Sequence, residues 1–236
     1  MIVVGCCVGP GGRYDRITGP SLASLVQPDD VVVLVEGASG ICGAYNAVLR
    51  RAREVEGCQG VLLVHDDVEL PGRDVRDALL AAATEPGVGL VGVAGGRGLA
   101  WGKWWSGRHL AGHRNDTRGT FDLGRVADDV DAVDGCLMFI TPRAVHVDFD
   151  EVTFPAFHGY DVDFSLQVRS AGLRVVTRSI PYRHLDKGSA GDDATFVEAM
   201  RDLEAKWPGW IRPPSVPERM VSRMRHVARR GRTPGS

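Results

Sequence analysis

The run Val61-Leu62-Leu63-Val64-His65-Asp66-Asp67 passes from four apolar residues directly into three side chains that can ligate a metal. In open parallel sheets, ligands bind beyond the carboxyl ends of the strands. Carboxylates placed there can hold Mg²⁺ or Mn²⁺, and the ion in turn grips a diphosphate. Alternate residues of an extended segment point the same way, so His65 and Asp67 share a side. The plainer reading is a solvated turn in which Asp67 caps a following helix. In Phe157-His158-Gly159-Tyr160-Asp161-Val162-Asp163-Phe164, Asp161 falls near a predicted helix N-terminus, where the helix dipole favours an ionised carboxylate. Such a group, aimed at a hydroxyl, is a general base; helix capping is the alternative. In the segment from Pro181 to Ser189, His184 follows the last predicted strand and could complete a metal site. Arg183 or Lys187 could neutralise phosphate there, and a purely structural histidine is the competing reading.

The elements that must position these residues are legible as short apolar runs alternating with helical patterns. Ile2 to Val8, Val31 to Val35, Val61 to Val64, Val88 to Val93, Cys136 to Ile140 and Arg174 to Thr177 read as strands. They are nearly continuous in Val, Leu and Ile, as strands covered on both faces are. Ile41, Tyr45, Val48, Leu49 and Ala52 form one face of a helix that Ser39 can cap. Pro71 suits the first turn of a helix running to about Thr84, and Pro20 suits one over Ser21 to Val26. A helix from about Asp161 to Ser170 stops at Gly172. Phe196, Met200, Leu203 and Trp207 stripe a later one. Repeated βα units imply an α/β domain with a mainly parallel sheet. Gly95 to Asp129 lacks periodicity and is too long for an ordinary connection, so it reads as a functional excursion or a mobile loop.

Composition narrows the function classes. The chain has 236 residues, enough for one sizeable domain, with 44% hydrophobic and 25% charged residues. A net charge of −2 argues against a nucleic-acid partner. No apolar run reaches the ~18 residues of a membrane span. The N-terminal segment from Met1 to Val8 reads as a strand rather than a signal peptide. Five cysteines without a CxxC pair read as buried, reduced thiols of a cytoplasmic protein.

In order and spacing, several further landmarks join these constellations. They are Gly43-Ala44-Tyr45-Asn46 with Ala52, Val91 to Gly95 leading into Trp104-Trp105, Val133-Asp134-Gly135-Cys136, and Ala171-Gly172 before His184. The set, from about Val31 to Ser189, resembles the GT-A-fold glycosyltransferases of family 2. It is most similar to the branch typified by a streptomycin-biosynthesis glycosyltransferase-like domain. The resemblance implies a GT-A domain over 1–212 and a nucleotide-sugar donor, with a glycan or small molecule as acceptor. It implies Asp67 as the metal ligand closing a DxD motif, with His65 in place of the first aspartate and Asp66 beside it on the donor side. His184 resembles the late histidine that reaches the metal, Mn²⁺ or Mg²⁺. Asp161 resembles the catalytic base, with Tyr160 where a glutamate is common. Glu36 falls where an acidic residue meets the nucleobase, and Asn46 is taken with it as a donor-side residue. Asp134, Tyr160 and Asp163 are taken as acceptor contacts. The implied reaction is a single displacement with inversion at the anomeric carbon.

Weaker features are read beside these. Trp101, Trp104 and Trp105 are either an acceptor-binding lid, since sugars stack on aromatic faces, or ordinary packing. Gly9-Pro10-Gly11-Gly12-Arg13 reads as a donor-side loop without a P-loop lysine. The tail 213–236, with six arginines against one glutamate from Glu218 to Arg232, reads as a solvated end or a weak contact with the inner membrane face. Two rival functions are a nucleotidyltransferase on a related sheet and a non-catalytic nucleotide-sugar or glycan-binding module.

Overall fold

The structure is a computed structural model that describes residues 1–125, 129–185 and 194–212. Lys187, Ser189 and the basic tail fall outside the described residues. The strands in chain order are β1 (Val3–Val8), β2 (Val31–Glu36), β3 (Val61–Val64), β4 (Val68–Glu69), β5 (Val88–Gly92), β6 (Ala94–Arg97), β7 (His109–Asp116), β8 (Gly119–Gly124), β9 (Ala132–Val133), β10 (Leu137–Ile140), β11 (Arg174–Thr177) and β12 (Arg183–His184). The helices are α1 (Arg13–Arg16), α2 (Thr18–Leu22), α3 (Ile41–Glu54), α4 (Asp74–Thr84), α5 (Tyr160–Ser170) and α6 (Ala194–Lys206). A 3₁₀ turn spans Trp104–Ser106.

The six apolar runs form one sheet in the order β11-β5-β10-β3-β1-β2. β1 pairs in parallel with both β2 and β3, and β11 with β5. The exception is β10, antiparallel to both of its neighbours. Alternation sorts the core into two faces. Val3, Leu63, Leu90 and Met138 pack with α3, α5 and α6 on one side. Val4, Leu62, Val91 and Phe139 pack with α2 and α4 on the other. All of β3, β5 and β10 is buried, as continuous apolar runs require. The edge strand β2 departs from that rule. Its Val31, Val33 and Val35 pack inward, while Val32 and Leu34 stay about two-fifths exposed, at 41% and 40%. The entry to β2 is pinned by Asp30, whose carboxylate accepts Arg76 at 2.5 and 3.1 Å and the Ile2 amide at 2.7 Å.

Three helix starts differ from the sequence reading. Gly40, not Ser39, precedes α3, and no side chain caps it. The Ile41 amide instead donates to the Ala156 carbonyl at 3.0 Å. A Cβ on Gly40 would lie 1.9 Å from the Pro155 carbonyl oxygen, so this close approach requires glycine. Pro71 does not enter α4, because Gly72 takes the left-handed region at φ 91° and the helix begins only at Asp74. Pro20 is the third residue of a shorter, earlier helix, α2.

The aperiodic stretch from Gly95 to Asp129 supplies strands rather than a loop. Apart from residues 126–128, which are not described, it contributes β6, β7 and β8 to a second sheet, completed by β4, β9 and β12 in the order β4-β12-β7-β6-β9, with β8 paired to β7. Its glycines and polar residues mask the alternation. β8 is largely exposed, and β6 is three small residues and an arginine. This second sheet delivers His184, since β12 pairs antiparallel with β4, opposite Val68, and parallel with β7, opposite Asp116.

Candidate active site

Strand ends and turns converge at the carboxyl edge of β1 and β3. Because β10 runs antiparallel, its entry turn Asp134-Gly135-Cys136 meets the same edge, and the His65 amide donates to the Cys136 carbonyl at 3.1 Å. After β3 the chain turns through His65-Asp66-Asp67 into β4. No helix follows, so Asp67 is not a helix cap. The buried Thr18 hydroxyl lies 2.9 Å from both the His65 and Val68 carbonyl oxygens and accepts the Val68 amide at 3.1 Å. This pin on the turn was not legible in the sequence.

His65, Asp67 and His184 offer ligand atoms that all lie within 4.8 Å of one another. The expected shared side of His65 and Asp67 is therefore observed. The Leu185 amide donates to the Asp67 carbonyl at 2.9 Å, which fixes His184 against the turn. Asp67 Oδ1 lies 3.2 Å from His184 Nε2, yet it is buried and accepts no aligned hydrogen bond. A buried carboxylate grouped with two imidazoles in this way is a donor set that a divalent cation could use. The residues fit a metal.

Charge around the turn is balanced by Arg13. Its Nη2 lies 3.0 Å from Asp66 Oδ1 and its Nη1 3.4 Å from Asp67 Oδ2. Asp66 Oδ2 also accepts the Gly9 amide at 2.9 Å. The loop after β1 thus folds onto the carboxylates through Arg13, whose role the sequence reading left unassigned. The available signal was a lone cation closing a glycine-rich loop at a strand end. Burial opposes the charge on Asp67, but His184, His65 and Arg13 together hold its pKa below the ordinary carboxylate value. Burial, then the nearby His184, pushes the His65 pKa down, which favours the neutral imidazole that binds metals.

A cavity of about 620 Å³ opens on this edge, with Arg13, Glu36, His65, Asp66, Asp67 and His184 in its wall. Cys7 and Phe157 also line it, and neither was singled out from sequence. Cys7 is a partly exposed thiol, unlike the buried Cys6, Cys42 and Cys136. A second cavity of about 690 Å³, walled by Arg97, Arg108 and Arg174, gathers none of the candidate residues.

Asp161 sits in the first turn of α5. Its Oδ2 accepts the Gly135 amide at 3.3 Å and its Oδ1 the Val162 amide at 2.9 Å. Burial, reinforced by repulsion from Asp134, raises its pKa to about 7. The helix dipole, expected to favour the charged form, is outweighed by desolvation. Asp134 itself braces the entry turn to β10, accepting the Cys136 amide at 2.9 Å.

Several predicted contacts are placed elsewhere. Asn46 is buried, 4% exposed, and clamps a distant loop: its Nδ2 donates to the Phe149 carbonyl at 2.9 Å and to Glu151 Oε1 at 2.7 Å. Its Oδ1 accepts the Phe149 amide at 2.8 Å, so both ends of the amide are engaged within the fold. Asp163 faces the core at 1% exposure, accepting Trp207 Nε1 at 2.7 Å and Gln167 Nε2 at 2.8 Å, with Lys206 Nζ 2.8 Å away. Two residues beyond Asp161, Asp163 would share its side on a strand. On a helix, two positions turn the side chain about 200° away. Tyr160 is also buried, its hydroxyl 2.6 Å from His65 Nε2. Trp104 is buried, while Trp105 is exposed and stacks on Phe196, ring centres 6.3 Å apart. Neither tryptophan lines the cavity.

A family model described as a glycosyltransferase-like family matches residues 21–187. The streptomycin biosynthesis protein StrF of Streptomyces griseus is 28% identical over 182 residues, covering 76% of this chain and 64% of that one. This chain therefore spans a little less than two thirds of that relative. Among solved structures, mannosyltransferase PcManGT of Pyrobaculum calidifontis, in complex with GDP-Man and Mn²⁺, superposes with a TM-score of 0.52 at 14% identity, over 82% of this chain and 58% of that one. A protein from STIV gives a TM-score of 0.50 at 15% identity, over 79% and 87%. At such identities the likeness concerns the fold, the GT-A arrangement of sheet and helices.

Proposed function

This chain belongs to the glycosyltransferase-like family, and on that premise we propose that it moves a sugar from a nucleotide-sugar donor to an acceptor hydroxyl with inversion. The observation that carries the reading is the convergence of His65, Asp67 and His184 within 4.8 Å on the wall of the cavity. Such a site suits a diphosphate held through a divalent cation, and PcManGT was solved with GDP-Man and Mn²⁺. When bound, the ion supplies Lewis-acid stabilisation of the charge that develops on the leaving diphosphate.

The chain's own groups do the rest. Arg13 turns from the aspartates to the diphosphate oxygens, adding a second positive charge to the leaving group. Glu36, at the far wall of the cavity, meets the nucleoside. The acceptor oxygen attacks the anomeric carbon as the bond to the diphosphate oxygen breaks. Asp161 takes the acceptor proton, and a pKa of about 7 suits a base working near neutral pH. Asp134 keeps Asp161 basic through the same repulsion that raises its pKa.

Thermal shift with UDP-, GDP- and dTDP-sugars in the presence of Mn²⁺ tests donor binding, because a ligand that binds only the folded state raises Tm. One donor class is expected to raise Tm and to be hydrolysed slowly without acceptor. Absence of both effects for every donor would sink the reading. Full turnover by Asp161→Asn would remove the base assignment alone.

A further inference from the structure

We infer that His65 is itself a metal ligand, so that this site is a two-histidine, one-carboxylate centre selecting nitrogen-binding transition ions over Mg²⁺. The inference rests on the proposed transfer reading and concerns its ion. Three observations carry it. His65, Asp67 and His184 bring one oxygen and two nitrogens within 4.8 Å. The Asp67 Oδ1 atom is buried and lies 3.2 Å from His184 Nε2. The two imidazoles pack edge to face, ring centres 5.5 Å apart.

Tyr160 decides which nitrogen is available. With Nε2 of His65 held 2.6 Å from the Tyr160 hydroxyl, Nδ1 is the ring nitrogen left for an ion. A ligating histidine whose other nitrogen is held by a fixed polar group is a recurrent arrangement at metal centres, and the partner sets the ring's orientation. Asp66 does not replace the missing carboxylate. It is occupied by the Gly9 amide and Arg13. The donor set thus carries one negative charge, against two for a pair of aspartates.

Mg²⁺ favours an octahedron of oxygens and sheds water reluctantly. Imidazole nitrogens favour Co²⁺, Ni²⁺ and Zn²⁺, and tolerate Mn²⁺. The exchange of an aspartate for His65 should therefore weaken Mg²⁺ and strengthen the later ions.

Calorimetric titration of the metal-free full chain with MgCl₂, MnCl₂ and CoCl₂, without donor, tests this. Co²⁺ is expected to bind at least about a hundredfold more tightly than Mg²⁺, with Mn²⁺ between them. His65→Asp should shrink the Co²⁺/Mg²⁺ ratio about tenfold or more. Equal affinities in the wild type, or an unchanged ratio in His65→Asp, would overturn the inference. Should His65→Asp fail to fold, the wild type still decides: pulsed EPR of the Mn²⁺ form should show couplings to two imidazole nitrogens, and a single nitrogen refutes it. The two readings fail separately. Mg²⁺ and Co²⁺ binding alike, alongside donor hydrolysis, removes the selectivity and leaves the transferase. Selective Co²⁺ binding with no donor bound does the reverse.

Discussion

The hydroxyl of Tyr160 and Nε2 of His65 meet at 2.6 Å, joining the start of α5 to the turn after β3. The same helix turn holds Asp161, so one hydrogen bond ties the position of the proposed base to that of the proposed ion site. Tyr160→Phe deletes only this oxygen. It is expected to weaken Mn²⁺ binding about tenfold, the usual scale for removing a partner of a ligating histidine. Stability should fall by only about 1 kcal/mol. Calorimetry beside a melting curve separates the two. An unchanged Mn²⁺ affinity would show Tyr160 to be packing alone. Gly135→Ala should be worse on both counts, because its Cβ would lie 2.2 Å from that hydroxyl.

Asp161 gives a pH dependence with a definite sign. A base must be ionised, so kcat/KM should fall about tenfold per unit as pH drops below about 7. Asp134→Asn removes the repulsion and should move that limb to lower pH. Because the folded state holds this proton more tightly than the unfolded chain, Asp161 makes stability decline as pH rises from about 4 towards 7. Asp161→Asn should flatten that decline. A pH–rate profile measured on wild type and Asp134→Asn, with no shift between them, would contradict the coupling.

Asp163 is expected to be structural. Asp163→Ala leaves Trp207 Nε1 and Lys206 without their shared carboxylate, at a cost of about 2 kcal/mol, or about 6 °C in Tm. Acceptor KM should not change. A raised acceptor KM at unchanged Tm would return Asp163 to the substrate side. Trp105→Ala is the complementary test, since Trp105 is exposed and a lid role would appear in acceptor KM without loss of donor binding.

Arg76→Leu isolates a buried ion pair far from the cavity. The Asp30 side chain is fully buried, so removal of its partner should destabilise the fold by about 3–5 kcal/mol. Burial opposes its charge, but bonds from Arg76, Gln27 and Ile2 hold the Asp30 pKa below its ordinary value. Its contribution is therefore present at neutral pH and lost as the solution is acidified below about 4. Chemical denaturation at pH 7 and pH 3 should show the variant's deficit narrowing at the lower pH.

The sequence determined the main sheet and the ends of its strands. Runs such as Val61 to Val64 have nowhere to go but a core covered on both faces, and a polar turn must follow them. It also determined that His65 and Asp67 point the same way, since alternation on extended backbone is local geometry. Tertiary structure decided what those residues meet. The antiparallel insertion of β10 brings Gly135 to Asp161, and the second sheet, hidden behind small and polar residues, carries His184 to Asp67 across more than a hundred positions. Burial decided the rest. It lifts the pKa of Asp161 against the helix dipole, and it turns Asn46 and Asp163 from candidate contacts into struts with every polar atom engaged. Desolvation depends on which elements cover a side chain, and no spacing of residues along the chain encodes that. His65, which stands where the family resemblance implies an aspartate, is set by the fold beside Tyr160 and His184.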